Sequence, residues 1–312
     1  MYTLQDVYNI AYWLIAQGQD STAYPLTLMR SFINKAQNDI CYGNVMNLST
    51  GERLEKQALT FLEKNQFYST HNFSTLGATA TVWGTTLTCT NVFATSGYLW
   101  IGGDIIQYTG NDWTTITGIP TTGDYSIKYA HISGTQVLQL DVLPTDMGQL
   151  SRAFLTIMTT RIRTPLIGID NRDLVAQTPN SYIYQFFYDR AYSGALWLNK
   201  EWYYSMMRGQ FILFLVPQQN AQPVSVEYQM KPTQLVDTTD ALTIPDDYSL
   251  NTIPYMAVSE MLANRWDMEQ AVQLNNFWFN NIKSMYQYYT TQRQELMYNQ
   301  RVRTGSDGIL NF

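Results

Sequence analysis

The chain has 312 residues, which is enough for two domains or for one domain that carries a large insert. Charged residues make up 14% of it and the formal net charge is −6, which argues against a general nucleic-acid-binding patch, since such a patch needs clustered Lys and Arg. Tyr (23), Phe (13) and Trp (8) are abundant, and aromatic enrichment with few charges is typical of interface cores. The composition therefore favours extensive interfaces; the alternative is a chain that merely has an aromatic core.

The first 68 residues follow a helical pattern. Apolar residues keep helical spacing from Leu4 to Ala11, and the clearest helix lies between Pro25 and Gly43, where they recur every three or four positions. Proline suits the first turn of a helix and glycine suits its end. The spacing also predicts a third helix over residues 54–62.

From about Phe73 to Tyr228 the pattern changes to strands and turns, rich in Gly, Thr, Tyr and β-branched residues. The best hairpin signal is the pair of strands 98–101 and 104–108 around Gly102-Gly103. The unbroken apolar run 211–216 predicts a strand that is buried on both faces, and it is too short to span a membrane. We therefore expect no membrane partner.

Helical periodicity returns after Pro254. Asp267 and Gln270 resemble a capping box, which predicts that the C-terminal helical region is two helices. Residues 299–312 have no period and are predicted to form an extended tail. The two cysteines, Cys41 and Cys89, are too few for a disulfide framework and are expected to be buried free thiols.

This order of elements predicts an α+β fold, in which N- and C-terminal helices form one helical bundle with a large antiparallel β-rich insert. The predicted segments are the N-terminal half of the bundle (1–70), a small β-module (71–134), a second β-rich region (135–235), the C-terminal helices of the bundle (236–298) and the extended tail (299–312).

The sequence offers no catalytic constellation, and we expect no enzyme activity, cofactor or metal. His71 and His131 stand apart from any Cys or ligand spacing and are interpreted as surface or loop residues. The carboxylates of Asp237, Asp240 and residues 246–247 are the densest acidic cluster. Calcium binding is one interpretation of that cluster, and turn-forming Asx residues are the simpler one.

Aromatic and apolar side chains are the candidate contact residues. The run at residues 197–204 fits a subunit contact, a sugar-stacking platform or a half-buried strand, and the stripe that contains Trp278 also fits the core of a bundle. The predicted interface residues are Trp197, Trp202, Tyr203, Trp278, Tyr289, Ile309, Leu310 and Phe312.

Three segments of the sequence resemble parts of known protein families. Residues 28–40, Leu-Met-Arg-Ser-Phe-Ile-Asn-Lys-Ala-Gln-Asn-Asp-Ile, look like the second helix of tailed-bacteriophage head-to-tail adaptors. Residues 226–254, with Lys231-Pro232, an acidic turn and Ile-Pro-Asp-Asp-Tyr, are similar to their junction between strand and helix. The stretch 97–118 resembles a small β-module of phage virion proteins, with Asp104 where Glu is common.

The resemblance implies a structural role in the neck of a virion that is assembled in the cytoplasm of a bacterial host. Such adaptors form a ring, usually a dodecamer, below the portal. The ring extends the DNA channel and docks the tail or a second neck protein. The implied partners are other copies of the chain, the portal, the tail or next neck protein, and genomic DNA that passes non-specifically through the lumen. A tail fibre is a further candidate partner. The alternatives are another tail, baseplate or fibre-attachment protein, and a carbohydrate-binding or carbohydrate-active virion protein.

Overall fold

The fold is a mixed α+β architecture, seen in a computed structural model that describes residues 2–15, 25–54, 59–71, 73–89, 93–157, 162–169, 202–215, 222–265 and 267–307. Four α-helices occur in these ranges, together with a short 3₁₀ turn at Thr60–Leu62. The helices are α1 (Leu4–Ile15), α2 (Leu26–Tyr42), α3 (Asp246–Asn264) and α4 (Met268–Asp307).

Fifteen strands occur in the same ranges, and most of them are short. They are β1 (Val45–Met46), β2 (Arg53–Leu54), β3 (Glu63–Ser69), β4 (Phe73–Thr75), β5 (Leu87–Thr88), β6 (Gly97–Ile101), β7 (Asp104–Tyr108), β8 (Gly110–Asn111), β9 (Thr115–Thr117), β10 (Gln136–Val142), β11 (Met147–Ile157), β12 (Ile162–Ile169), β13 (Trp202–Met207), β14 (Phe211–Leu215) and β15 (Pro223–Met230).

The chain divides into two compact units, of which the first is Met1–Lys64 with Gln229–Phe312 and the second is Asn65–Tyr228. In the first unit, α3 packs against α1, α2 and α4. One hydrophobic core joins these helices, and its most buried side chains come from all four of them. The segment boundaries predicted at residues 70, 134 and 235 stay predictions.

The second unit contains a large curled sheet in the order β3-β15-β11-β12-β13-β14-β10-β6-β7, with β4 also paired to β10. Because β10 pairs with β6, strands from both sides of residue 134 share this sheet. A second sheet of three strands, β5-β9-β8, lies in the same unit. The prediction of an antiparallel insert is wrong for one pair of strands, because β12 and β13 run parallel. Residues 170–201 between these two strands give a connection long enough for a parallel pair.

Local signals in the sequence placed several elements correctly. The hairpin of β6 and β7 turns at Gly102 and Gly103, whose φ angles of 53° and 105° favour glycine. Strand β14 is buried on both faces, as the unbroken apolar run predicts. The division between α3 and α4 is also confirmed, with the side chain of Asp267 3.5 Å from the backbone N of Gln270.

The predicted third helix is wrong. Of the described residues in this stretch, residues 53–54 form β2, which pairs with β1, and residues 60–62 take a 3₁₀ turn. The reason is a turn centred on Asn47, whose side-chain oxygen accepts hydrogen bonds from the backbone N–H groups of Ser49 and Thr50. This turn reverses the chain, so that residues 53–54 pair with residues 45–46 instead of starting a helix.

Two helix boundaries also differ from the predictions. Helix α3 begins at Asp246 rather than after Pro254, because the carboxylates at 246 and 247 suit the positive end of a helix. Helix α4 continues to Asp307, so the prediction of an extended tail is wrong for residues 299–307. Strong helix formers such as Gln, Glu, Leu, Met and Arg dominate residues 292–303 and sustain the helix. The remaining five residues lie outside the described ranges.

Candidate interaction site

The best-defined site in the first unit is a set of contacts that we call the clasp: Arg30, Asn34 and Gln37 of α2 with the segment Thr233–Thr243. The three side chains stand one helical turn apart and reach the same irregular segment. A segment without secondary structure has backbone groups that need partners, and α2 supplies them.

Asn34 and Gln37 each bind two backbone groups. The Asn34 amide donates to the carbonyl of Leu235 at 2.9 Å, and its oxygen accepts from the N–H of the same residue at 2.8 Å. The Gln37 amide donates to the carbonyl of Thr233 at 2.7 Å, and its oxygen accepts from the N–H of Thr243 at 2.9 Å. Gln37 is 1% exposed, so these bonds satisfy an otherwise costly buried amide.

Arg30 completes the clasp at its more exposed end, where its guanidinium donates to the carbonyl of Val236 at 2.7 Å. Two apolar side chains of the segment, Leu235 and Leu242, are each 1% exposed and belong to the core of the unit. The clasp therefore fixes both the backbone and the apolar contacts of a segment that has no helix or strand pattern.

Asp240 holds the tip of the segment. Its carboxylate accepts from the N–H of Val236 at 2.6 Å and from the N–H of Asp237 at 2.8 Å. These bonds to the charged form lower the pKa of Asp240 from its ordinary value. The turn interpretation of this carboxylate is confirmed. No group of three or more His, Cys, Asp or Glu side chains in the described ranges is placed to hold a metal ion.

The start of α1 binds the same segment through backbone groups. The N–H of Leu4 donates to the carbonyl of Asp240 at 2.9 Å, and the N–H of Leu242 donates to the carbonyl of Tyr2 at 3.1 Å. The first N–H groups of a helix lack partners within it, so the bond from Leu4 satisfies one of them. The segment is thus held by both N-terminal helices.

An open groove of about 550 Å³ lies beside the clasp. It is lined by Thr27, Arg30, Ser31, Asn34, Lys35, Asn38, Asp39, Gln234, Leu235 and Val236. The ammonium of Lys35 lies 3.2 Å from Asp39 and 2.5 Å from Glu260, so this cation is paired within the unit. Eight of the ten lining residues are polar and the groove is open, so its walls suit protein or peptide contacts better than burial of an apolar ligand.

Both histidines have a carboxylate partner in the second unit. His131 is 7% exposed and lies 3.0 Å from Asp104, so of the two interpretations, surface or loop residue, the surface one is wrong. Asp104 also accepts from the N–H groups of Lys128 and Tyr129, and these bonds fix the loop that covers the hairpin. His71 is half-buried and lies 2.8 Å from Asp141. These are pairs of side chains rather than ligand sets.

Three of the predicted interface residues have described side chains, and they lie in both units. Trp278 is 2% exposed and donates to the hydroxyl of Ser259 at 2.9 Å, so it is a core residue and not an accessible contact. Tyr289 is half-buried, with its ring centroid 5.1 Å from that of Phe61. Tyr203 in β13 is half-buried against a core cluster of the second unit. Trp197, the side chain of Trp202, Ile309, Leu310 and Phe312 lie outside the described residues.

Sequence reasoning missed the residues of the clasp. One signal could have found Gln37, because it lies among buried positions of α2 between Ile33 and Ile40. A polar residue on the core face of a helix indicates a buried hydrogen bond. Asn34 and Arg30 gave no such signal, since both positions fit an ordinary polar face.

Comparisons with known proteins assign no family. No protein-family model matches the chain, and no curated protein matches it significantly. In the part of the chain that the structure describes, no helix combines the length and the apolar character needed to cross a membrane.

Proposed function

We propose that this chain is a structural protein of a tailed-bacteriophage virion, a head-to-tail adaptor that forms a ring below the portal. The ring extends the DNA channel and docks the tail or the next neck protein. In this role the clasp is part of the fixed scaffold of the protein, and the role itself calls for neither a cofactor nor a catalytic group.

The clasp is the observation that carries the proposal. The two outer segments on which the resemblance depends lie more than 180 positions apart in sequence, at residues 28–40 and 226–254. Their residues meet in one unit, where Asn34 and Gln37 of the first segment bind Leu235 and Thr243 of the second. If both segments resemble the adaptors because the fold is the same, they must lie in contact. Two chance similarities would have no reason to do so.

We further propose that the first unit is the adaptor's helical bundle and that the second unit is its β-rich insert. Two findings support this finer description. Helices from both ends of the chain share one core, and the second unit is formed by the residues between the two segments of the first. An insert of this kind leaves the bundle intact and adds a separate surface for docking.

The bundle is the part that we expect to contact the portal or a neighbouring copy. Along α4, Phe277 is 48% exposed and Tyr288 is 50% exposed. Large exposed aromatic residues suit a protein contact, since their burial releases more free energy than that of smaller side chains. In a ring, we expect few Lys and Arg at the channel wall, so that DNA passes without binding.

Co-expression with the portal protein of the same virus tests the proposal. We expect the two proteins to co-purify, with one copy of this chain for each portal subunit. Phe277→Asp and Tyr288→Asp should weaken the complex, while Trp113→Asp, at a 72% exposed position in the second unit, is the matched control. Separate elution of correctly folded wild-type chain and portal would count against an adaptor.

A second candidate is another tail, baseplate or fibre-attachment protein. Exposed aromatic and apolar residues at turns of the second unit favour it: Trp83 is 52% exposed, Trp113 72% and Ile132 73%. Trp83 and Trp113 also have positive φ angles, 61° and 77°, which large side chains rarely adopt. Binding to a tail or fibre protein without binding to the portal would select this candidate.

A further inference from the structure

The two ends of the large sheet in the second unit differ sharply. At one end, β7 is covered by its own chain, because the N–H of Gln107 donates to the carbonyl of Tyr125 at 3.0 Å and Asp104 binds the loop through residues 128 and 129. At the other end, β3 pairs with β15 alone among the described strands. Within the described ranges, the sheet therefore has one edge covered by its own chain and one edge, β3, that no other described strand covers.

The open edge lacks the features that usually prevent strands from pairing between molecules. Six of the seven residues of β3 are exposed, and Phe67 is 69% exposed. Residues 65–69, Asn-Gln-Phe-Tyr-Ser, contain no charge and no proline. Natural proteins usually protect such an edge with Lys, Pro, a bulge or a covering segment. Here the two charged residues, Glu63 and Lys64, lie only at the start of the strand.

Tyr68 anchors this strand to the sheet. Its hydroxyl donates to the carbonyl of Val142 at 3.1 Å, and its ring centroid lies 5.7 Å from that of Phe214. Successive side chains of a strand point to opposite faces, so Phe67 lies on the other face. A fixed strand with an exposed aromatic side chain and an open hydrogen-bonding edge is suited to accept another strand.

We propose that β3 is a self-pairing surface, on which the β3 strand of a second copy adds in antiparallel orientation about a two-fold axis at Phe67. In this register Phe67 lies opposite Phe67 of the partner, Gln66 lies opposite Tyr68, and Asn65 lies opposite Ser69. The uncharged stretch thus pairs with itself over its full length.

Charge and aromatic contacts favour this occupant and this register. Lys64 lies opposite Thr70, so no like charges face each other across the pair. The two Phe67 side chains, each 69% exposed in the single chain, meet at the axis, where directly opposed aromatic residues interact favourably. A two-fold axis at any other residue would place part of the uncharged stretch 65–69 opposite residues outside that stretch. Only the axis at Phe67 pairs all five of these residues with one another.

This contact goes beyond the adaptor ring and does not depend on it. A two-fold contact uses the same patch on both copies and closes after two, whereas a ring needs contacts that run head to tail. The pair is therefore a separate association of the chain, through the second unit.

Charge exchange at position 67 tests the pairing. Sedimentation of the full chain should show dimers for the wild type and monomers for both Phe67→Lys and Phe67→Glu, because like charges then meet on the axis. An equimolar mixture of the two variants should recover dimers. Trp13→Lys, at a 68% exposed position of the first unit that has no part in either proposed contact, should still form dimers like the wild type. Far-UV circular dichroism checks that each variant is folded.

Cysteine cross-linking tests the register. Phe67→Cys should form a disulfide-linked dimer under mild oxidation, since directly opposed residues of antiparallel strands bring their Cβ atoms within reach. Asn65→Cys alone should not cross-link, but it should do so when mixed with Ser69→Cys. Cys41 and Cys89 are buried and give a low background. A monomeric wild type, a dimer that survives Phe67→Lys, or a failure of Phe67→Cys to cross-link would each overturn the proposal.

Discussion

The side-chain amide of Asn34 binds both backbone groups of Leu235, across 201 positions of sequence. The amide thus satisfies the N–H and the carbonyl of one residue, as a neighbouring strand does in a sheet, although this segment is not part of a sheet. Gln37, one turn further along α2, binds the carbonyl of Thr233 and the N–H of Thr243 in the same way. The segment 233–243, which leads from the second unit back to the helices of the first, is thus held in place by side chains of α2.

Replacing Gln37 tests the energetic importance of this contact. Gln37→Leu leaves the carbonyl of Thr233 and the N–H of Thr243 without their partner. An unsatisfied buried group costs about 1–3 kcal/mol, and water offsets part of that cost here because Thr233 is exposed and Thr243 is half-buried. We expect the free energy of unfolding to fall by about 2–4 kcal/mol in chemical denaturation. Asn38→Ala, at an exposed position of the same helix, is the control and should change it by less than about 0.5 kcal/mol. Equal effects of the two substitutions would show that the clasp does not stabilise the unit.

Asp240 predicts a specific pH dependence. Its pKa in the folded chain is lowered by hydrogen bonds from the N–H groups of Val236 and Asp237, so the unfolded state binds a proton more readily. Its contribution to stability is fully present above the ordinary pKa of 3.8 and is lost as the pH falls through the lower folded value. Asp240→Asn should therefore reduce the acid-induced loss of stability, measured by denaturation between pH 5 and pH 2.

The control for this measurement is Asp124→Asn. The side chain of Asp124 is 83% exposed, and its carboxylate lies 3.8 Å from Lys128. Exposed pairs of this kind contribute little to stability. The control should retain the acid-induced decline of the wild type, and an identical decline in Asp240→Asn would contradict the assigned role of the carboxylate.

Much of the local structure could be predicted because its cause lies within a few residues. The Gly102-Gly103 turn and the cap at Asp267 are short-range signals of this kind. The clasp could not be predicted, since no local pattern pairs Asn34 with Leu235. The predicted third helix failed at its start because the turn at Asn47 reverses the chain, so that residues 53–54 pair with β1.

The misassigned interface residue follows the same rule. Apolar spacing identifies the buried face of α4, but it does not distinguish burial within the chain from burial by a partner. Trp278 lies on that face and is enclosed by its own unit, where it binds Ser259. The neighbouring Phe277 is the exposed aromatic residue, although the pattern alone gave it no special weight.

Alanine substitutions at two neighbouring positions of α4 compare the stability contribution of a core residue with that of a surface residue. Trp278→Ala removes a buried ring and the hydrogen bond to Ser259, and we expect a loss of about 3–5 kcal/mol in the free energy of unfolding. Phe277→Ala removes a ring that is 48% exposed and should cost less than about 1 kcal/mol. Thermal and chemical denaturation measure both. A small loss for Trp278→Ala would mean that this side chain is not part of the core.

Both cysteines should be unreactive in the folded chain. Burial raises the pKa of Cys41 to about 12 and that of Cys89 to about 11, so both thiols are protonated near pH 8. A thiol-exchange reagent at pH 8 should label neither cysteine until denaturant is added. Thr50→Cys, at an exposed position, is the positive control and should react at once. Rapid labelling of the native wild type would contradict the burial of these thiols.

The adaptor proposal is tested most directly by electron microscopy of the chain mixed with the portal protein of the same virus. Portal must be included, since a ring can require it as a template. We predict a second ring beneath the portal, coaxial with it, with a central hole wide enough for duplex DNA. Portal particles without added density, from a mixture in which the chain is folded and in excess, would contradict the account.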